Sequence, residues 1–143
     1  MRSGTQTAPV SKKKLWAGGI ISALAILFLL FDSIIKLIAI DPVVESFAQL
    51  GYPLSLALGI GLVELVCLVA YVIPRSSVLG AILLTGYLGG AVATHVRVGS
   101  PFLTHTFFPI YVGVLIWGGL FLREDRLRAL IPLRARAAGL RAA

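Results

Sequence analysis

Four long blocks of apolar residues, at 15–40, 54–73, 78–96 and 106–122, constrain this chain more than any other feature. A helix needs about 20 consecutive apolar residues to cross the roughly 30 Å hydrocarbon core of a bilayer. The composition agrees, because 58% of the residues are apolar and 13% are charged, whereas soluble domains are about 45–50% apolar. We therefore predict an all-α fold, an integral membrane four-helix bundle in which each block forms one span.

The segments outside the spans are predicted from their polarity and their capping residues. Residues 1–14 are polar and cationic, which predicts a disordered basic N-terminus, and residues 123–143 form a basic cytoplasmic tail next to the membrane. Between the first two spans, Asp41-Pro42 suits a helix start and Gly51 suits a C-terminal cap. Because the segment between them is too short to cross a bilayer, we predict a short interfacial helix there.

Basic residues are distributed unevenly along the chain, and their distribution predicts its orientation. Ten of the 13 lie in the termini and Arg75 lies in the second loop, whereas the opposite loops contain only Arg97. The positive-inside rule therefore places both termini in the cytoplasm, N-in/C-in, in a multi-pass inner (plasma) membrane protein. The basic termini also predict contacts with anionic lipids of the bilayer. No nucleic-acid recognition motif accompanies the net charge of +7, so nucleic acid is not expected as a partner.

Few residues could carry chemistry of a familiar kind. Cys67 is the single cysteine, which excludes a disulfide framework or a paired-cysteine redox site within one chain. The two histidines, His95 and His105, lie in different segments without metal-binding spacing, so no metal site is predicted. No serine or cysteine belongs to a recognisable nucleophile motif. The catalytic residues therefore remain unknown, and the sequence leaves open whether the protein is an enzyme.

Charged residues within the apolar blocks are the main functional candidates. Ionisable groups in a span cost a few kcal/mol or more, so they face the interior of a bundle. Asp32 and Lys36 are four residues apart, which is the spacing of an ion pair on one helix face. Such a pair is either structural or part of a site. Glu64 has no cation on its own helix, so it either uses Lys36 or Arg97 from a neighbouring helix or stays protonated.

The predicted orientation brings most polar side chains of the spans to the non-cytoplasmic half of the bundle. This convergence predicts a polar cavity that opens outward and binds a ligand between helices. Its candidate ligand-binding residues are Asp32, Lys36, Glu64, Tyr87, His95, Arg97, His105 and Tyr111.

The third block also contains a stripe of small residues. Gly86, Gly90 and Thr94 recur every four residues and therefore share one helix face. Small residues permit close approach of helix backbones in lipid. We expect this stripe to pack against other helices.

Several segments of the chain resemble the DoxX-like family of small bacterial membrane proteins. They are Phe31-Asp-Ser-Ile-Ile-Lys36, Ile73-Pro-Arg-Ser-Ser77, residues 84–97, and Pro101-Phe-Leu-Thr-His105 with the aromatic span that follows. The resemblance covers roughly residues 15–131 and implies a four-helix integral inner-membrane protein. The wider DoxX group includes subunits of quinone-linked membrane complexes, and other relatives are associated with assembly of partner membrane proteins. The resemblance supplies no catalytic motif.

Two functional hypotheses follow. In the first, the protein is an accessory subunit of a membrane oxidoreductase, or binds a quinone-like lipophilic molecule in the outward cavity. In the second, it is a non-enzymatic interaction or assembly protein, with a scaffold or chaperone-like role, whose partner is another membrane protein or a second copy of this chain.

Overall fold

The computed structural model describes residues 11–130, which are predominantly helical and contain no strand. The predicted all-α fold is therefore confirmed for this part of the chain. The parts of the predicted termini at 1–10 and 131–143 lie outside the described residues. The elements in order are α1 (Lys12–Ile38), α2 (Asp41–Leu50), α3 (Leu56–Val72), α4 (Ser77–Arg97), a π-helical turn (Phe102–Thr106), α5 (Phe108–Arg123) and α6 (Asp125–Leu130).

Between residues 11 and 130, three helical segments are long and apolar enough to cross a membrane: Lys12–Ile38, Ser77–Arg97 and Phe102–Arg123. The last combines the π-helical turn with α5, so it begins four residues before the predicted start of the fourth span. The predicted second span corresponds to α3, an apolar helix of 17 residues. At a rise of about 1.5 Å per residue, α3 is about 25 Å long.

Helix α1 has the reverse of the pattern that a soluble helix shows. Its buried face consists largely of small or hydroxyl residues, whereas large apolar side chains point outward. Trp16 is 75% exposed and Leu27 is 63% exposed, while Ser22 and Ser33 are almost fully buried. Large apolar side chains are stable on an outer surface when that surface contacts lipid, and small residues inside permit close helix packing. This distribution indicates a membrane protein.

The helices α1, α3, α4 and α5 enclose the main core. Helix α1 packs against α3 and α5, and α4 packs against the same two helices. The core between them is formed mainly by Ala25, Leu29, Leu68, Tyr71, Leu84, Ile116 and Leu120. A smaller core lies under α2, where Val43 and Phe47 contact Ala57. Helix α2 therefore covers one end of these packed helices.

Glycines permit the closest helix contacts. A Cβ atom at Gly119 of α5 would collide with the Ser22 side chain of α1, and one at Gly18 would lie 2.9 Å from the Gly119 carbonyl oxygen. A Cβ at Gly61 of α3 would lie 3.0 Å from the Lys36 Cβ of α1. These contacts hold α1 close to both α5 and α3.

Two expectations about local structure differ from the structure. Gly86 and Gly90 are exposed, and a Cβ at either would meet nothing within 4 Å, so the expected packing of that stripe is wrong for the described residues. A close backbone contact of α4 lies instead at Gly80, where a Cβ would collide with the Tyr71 backbone of α3.

The first helix also begins at Lys12, so Lys12–Lys14 are helical rather than disordered. Lysine is a good helix former, and its side chain keeps the ammonium in a polar environment.

Replacing Gly119 by alanine tests the contact between α1 and α5. We expect Gly119→Ala to lower the free energy of unfolding by about 1–3 kcal/mol, because the added methyl group overlaps Ser22. Gly118→Ala is the matched control, since a Cβ there meets nothing within 4 Å, and it should be neutral or stabilising by up to about 1 kcal/mol. Unfolding of the purified protein in detergent micelles measures both effects. Equal stability of the two variants would contradict the close approach.

Candidate functional site

Lys36, near the end of α1, is the centre of a charged cluster that joins three helices. Its Nζ donates to the carboxylate of Asp32 one turn earlier and to Glu64 Oε2 of α3 at 2.9 Å. The Tyr87 hydroxyl of α4 donates to the same Glu64 oxygen at 2.8 Å. Asp32 and Lys36 meet because residues four apart lie on one helix face, whereas Glu64 and Tyr87 reach them only through helix packing. We call these four residues the lysine cluster.

The lysine cluster is buried most deeply at Glu64. The Glu64 side chain is 0% exposed, that of Lys36 is 14% exposed and that of Asp32 is 30% exposed. Charges removed from solvent are stable when they are paired and hydrogen-bonded. The Tyr87 ring adds to this stabilisation, with its centroid 5.8 Å from the Lys36 Nζ. Glu64 Oε1 is also buried, and it has no hydrogen-bond partner among the described residues.

His95 and His105 form a second cluster, which we call the histidine pair. His95 lies near the end of α4, His105 lies in the π-helical turn, and their ring centroids are 5.9 Å apart. Each ring is hydrogen-bonded through Nδ1: His95 to Ser100 Oγ at 3.0 Å, and His105 to Thr104 Oγ1 at 2.8 Å. Within residues 11–130, no hydrogen bond involves either Nε2 atom. The two Nε2 atoms can therefore donate to or accept from a ligand, depending on the tautomer.

Arg97 is placed by contacts with the end of α2 rather than by either cluster. Its guanidinium donates to the Leu50 carbonyl oxygen at 2.6 Å and lies 5.5 Å from the centroid of the Tyr52 ring. The Tyr52 hydroxyl is 3.0 Å from Thr94 Oγ1. These contacts join the end of α4 to the connection between α2 and α3.

The eight predicted residues thus divide into separate groups. Four form the lysine cluster, two form the histidine pair, and Arg97 is held at α2. Tyr111 is exposed on α5, with its hydroxyl donating to the Leu103 carbonyl oxygen at 3.5 Å. Among the described residues, no hydrogen bond or ion pair connects the lysine cluster with the histidine pair. No group of three or more His, Cys, Asp or Glu side chains in that part of the chain is arranged to hold a metal ion.

Several polar residues that organise the structure were not predicted from the sequence. Tyr52 and Ser100 position Arg97 and His95, and both lie in connections next to a proline, where a polar side chain gives little signal. At the opposite end of the helices, Ser22 donates to the Tyr71 hydroxyl, which donates to the Ile116 carbonyl oxygen; both bonds are 3.0 Å. A serine and a tyrosine in separate apolar blocks do not indicate this contact without the packing of α1 against α3.

The lysine cluster and the histidine pair both lie in the part of the chain that matches a known protein family. The sequence profile described as the DoxX-like family matches residues 20–119, from α1 to α5. The chain belongs to the DoxX-like family. The match confirms the resemblance, and together with the apolar helices it indicates that this DoxX-like protein resides in a membrane, in contact with lipid. Neither the comparison with curated proteins nor that with solved structures gave a match.

Substitution of Lys36 tests the energetic role of the lysine cluster in this DoxX-like protein. We expect Lys36→Met to destabilise the fold by about 3–5 kcal/mol, because it removes the ammonium that pairs with Asp32 and donates to the fully buried Glu64. Lys14→Met is the matched control, since Lys14 is exposed on the same helix. Thermal unfolding in detergent measures the difference. If both variants unfold at the same temperature, the cluster does not stabilise the fold.

Proposed function

We propose that the chain crosses the bacterial inner membrane four times, with both termini in the cytoplasm. The packing of α3 between α1 and α4 supports a crossing by this helix, although it is about 25 Å long. Exposed Leu54 and Ile73 extend its apolar surface at both ends. Arg75 lies in the turn between α3 and α4, at the same end of the helices as the start of α1 and the end of α5. This position is consistent with the positive-inside rule. In this arrangement α2 lies at the outer membrane surface, with Val43 and Phe47 facing inward.

Within this topology, we propose that the outer end of the protein binds a small lipophilic molecule with a polar head, of the quinone class. In the same proposal, the protein serves as an accessory subunit of a membrane oxidoreductase or as a separate binder of such a molecule. The observation that carries the proposal is the histidine pair, in which both rings are held through Nδ1 and both Nε2 atoms remain for a ligand. Quinone carbonyl oxygens accept hydrogen bonds of this kind.

Aromatic side chains near the histidine pair favour a ligand that contains a flat ring. Phe102 and Phe107 flank His105 in the sequence, with their ring centroids 6.1 Å apart. Phe102 is 63% exposed and Tyr111 is 49% exposed. Aromatic rings favour offset-stacked and edge-to-face contacts with other flat rings. In this proposal, the histidines bind the polar head and the exposed aromatic residues contact the ring.

A second candidate function is a non-enzymatic role in interaction or assembly. The observation that favours it is the pairing of Lys36 with both Asp32 and Glu64. This is what a charged cluster with a purely structural role requires, since it holds α1 to α3. The partner would then be another membrane protein or a second copy of the chain, with anionic lipids at the basic termini.

Labelling of single cysteines tests the topology. In a Cys67→Ala background, we expect Glu45→Cys to react with a membrane-impermeant maleimide in intact bacteria, because α2 lies at the outer surface. Arg75→Cys should react only after the cells are lysed. Both parent side chains are exposed, so access to reagent is governed by the membrane. The reverse pattern of labelling would contradict the N-in/C-in orientation.

Native mass spectrometry of protein extracted gently from its own membrane, with lipid analysis of what co-purifies, tests the ligand. We expect a stoichiometric quinone-like lipophile, and an about tenfold weaker retention in His95→Ala and in His105→Ala, because each loses one hydrogen bond.

Gln49→Ala is the control, since this exposed residue lies on α2 outside the histidine pair. Unfolding midpoints of all variants show whether the fold is intact. The alternative outcome is protein without a bound lipophile that co-purifies with one membrane protein, in amounts that the histidine substitutions do not change. This would contradict ligand binding and support the assembly role.

A further inference from the structure

The two oxygen atoms of Glu64 have very different surroundings. Oε2 accepts from the Lys36 ammonium at 2.9 Å and from the Tyr87 hydroxyl at 2.8 Å. Oε1 is buried and has no hydrogen-bond partner among the described residues. An ionised carboxylate spreads its charge over both oxygens, so a buried ionised Glu64 would leave half of its charge without a donor.

The charges around Glu64 do not balance if every group is ionised. From α1, Asp32 and Lys36 face Glu64; from α4, Tyr87 does so; and on α3 itself, Cys67 lies on the same side. The hydroxyl and the thiol are uncharged, so two carboxylates share one ammonium. The ionised cluster would therefore have a net charge of −1, and its Glu64 side chain is fully buried between the helices. An uncompensated charge in such an environment favours the neutral form of the group.

We propose that Glu64 carries an exchangeable proton on Oε1 at neutral pH, so that the lysine cluster is a proton-binding site. With this proton, Oε2 is the carbonyl oxygen of a carboxylic acid and still accepts from Lys36 and Tyr87. Lys36 and Asp32 then form a neutral ion pair. The single proton removes the charge imbalance and makes Oε1 a neutral hydroxyl, which has no acceptor among the described residues but costs less to bury than an anionic oxygen.

Asp32 is the least buried carboxyl group of the lysine cluster, with a side chain that is 30% exposed. Lys36 contacts both carboxyl groups, so loss of the proton from Glu64 would make the two carboxylates compete for one ammonium. The protonation of Glu64 is therefore coupled to the contact between α1 and α3. This inference is independent of ligand binding at the histidine pair, because no hydrogen bond or ion pair in the described residues joins the two.

Infrared spectroscopy of the full chain in lipid bilayers at pH 7 tests the proposal directly. We expect the carbonyl band of one protonated carboxyl group per chain, shifted to lower frequency in D₂O. The band should be absent from Glu64→Gln and present in Glu45→Gln, the matched control at an exposed glutamate. Asp32→Asn should also remove it, because one carboxylate and one ammonium then balance without a proton.

Tyr87→Phe decides which carboxyl group is protonated. The Tyr87 hydroxyl bonds only to Glu64 within the cluster, so its loss should raise the frequency of the band without removing it. This variant keeps the proposal testable if Glu64→Gln fails to fold. The absence of the band at pH 7, or a band that Tyr87→Phe does not shift, would overturn the proposal.

Discussion

The shared ammonium of Lys36 is the interaction on which the polar half of this protein depends. A lysine in an apolar environment needs an anion and further acceptors for its ammonium, and here the carboxyl groups of Asp32, one turn earlier on α1, and of Glu64 on α3 accept from it. The carboxyl group of Glu64 in turn receives the Tyr87 hydroxyl from α4. The lysine cluster therefore links three helices, with directional contacts that apolar packing alone does not provide.

The opposite half of the helices is held by a different kind of contact. There, Gly18, Ser22 and Gly119 permit α1 and α5 to approach closely, and Ser22 donates to Tyr71. In lipid, apolar side chains gain little by leaving one apolar environment for another, so close backbone contact and interhelical hydrogen bonds become the main attractive terms. The molecule thus combines small-residue packing at one end with paired charges and histidines at the other.

The functional candidates follow from this asymmetry. Polar groups that are not required for close packing are concentrated in the half that contains the lysine cluster and the histidine pair. The two clusters have different properties: the first is buried and internally hydrogen-bonded, whereas His105 in the second is exposed. A site for a proton and a site for a lipophilic ligand can therefore coexist in one DoxX-like protein without sharing side chains.

The sequence by itself determined the all-α fold, the membrane environment and the DoxX-like family, because block length, apolar content and local motifs are properties of the chain in order. It also determined the Asp32–Lys36 pair, since residues four apart meet on any helix.

The tertiary structure decided everything that depends on distance between helices. Glu64 had two candidate cations, and packing placed Lys36 beside it while Arg97 bonded to Leu50. Packing likewise left Gly86 and Gly90 on the outer surface and placed Gly119 at a helix crossing. Spacing along one helix defines a face, but only the arrangement of the other helices defines what that face contacts.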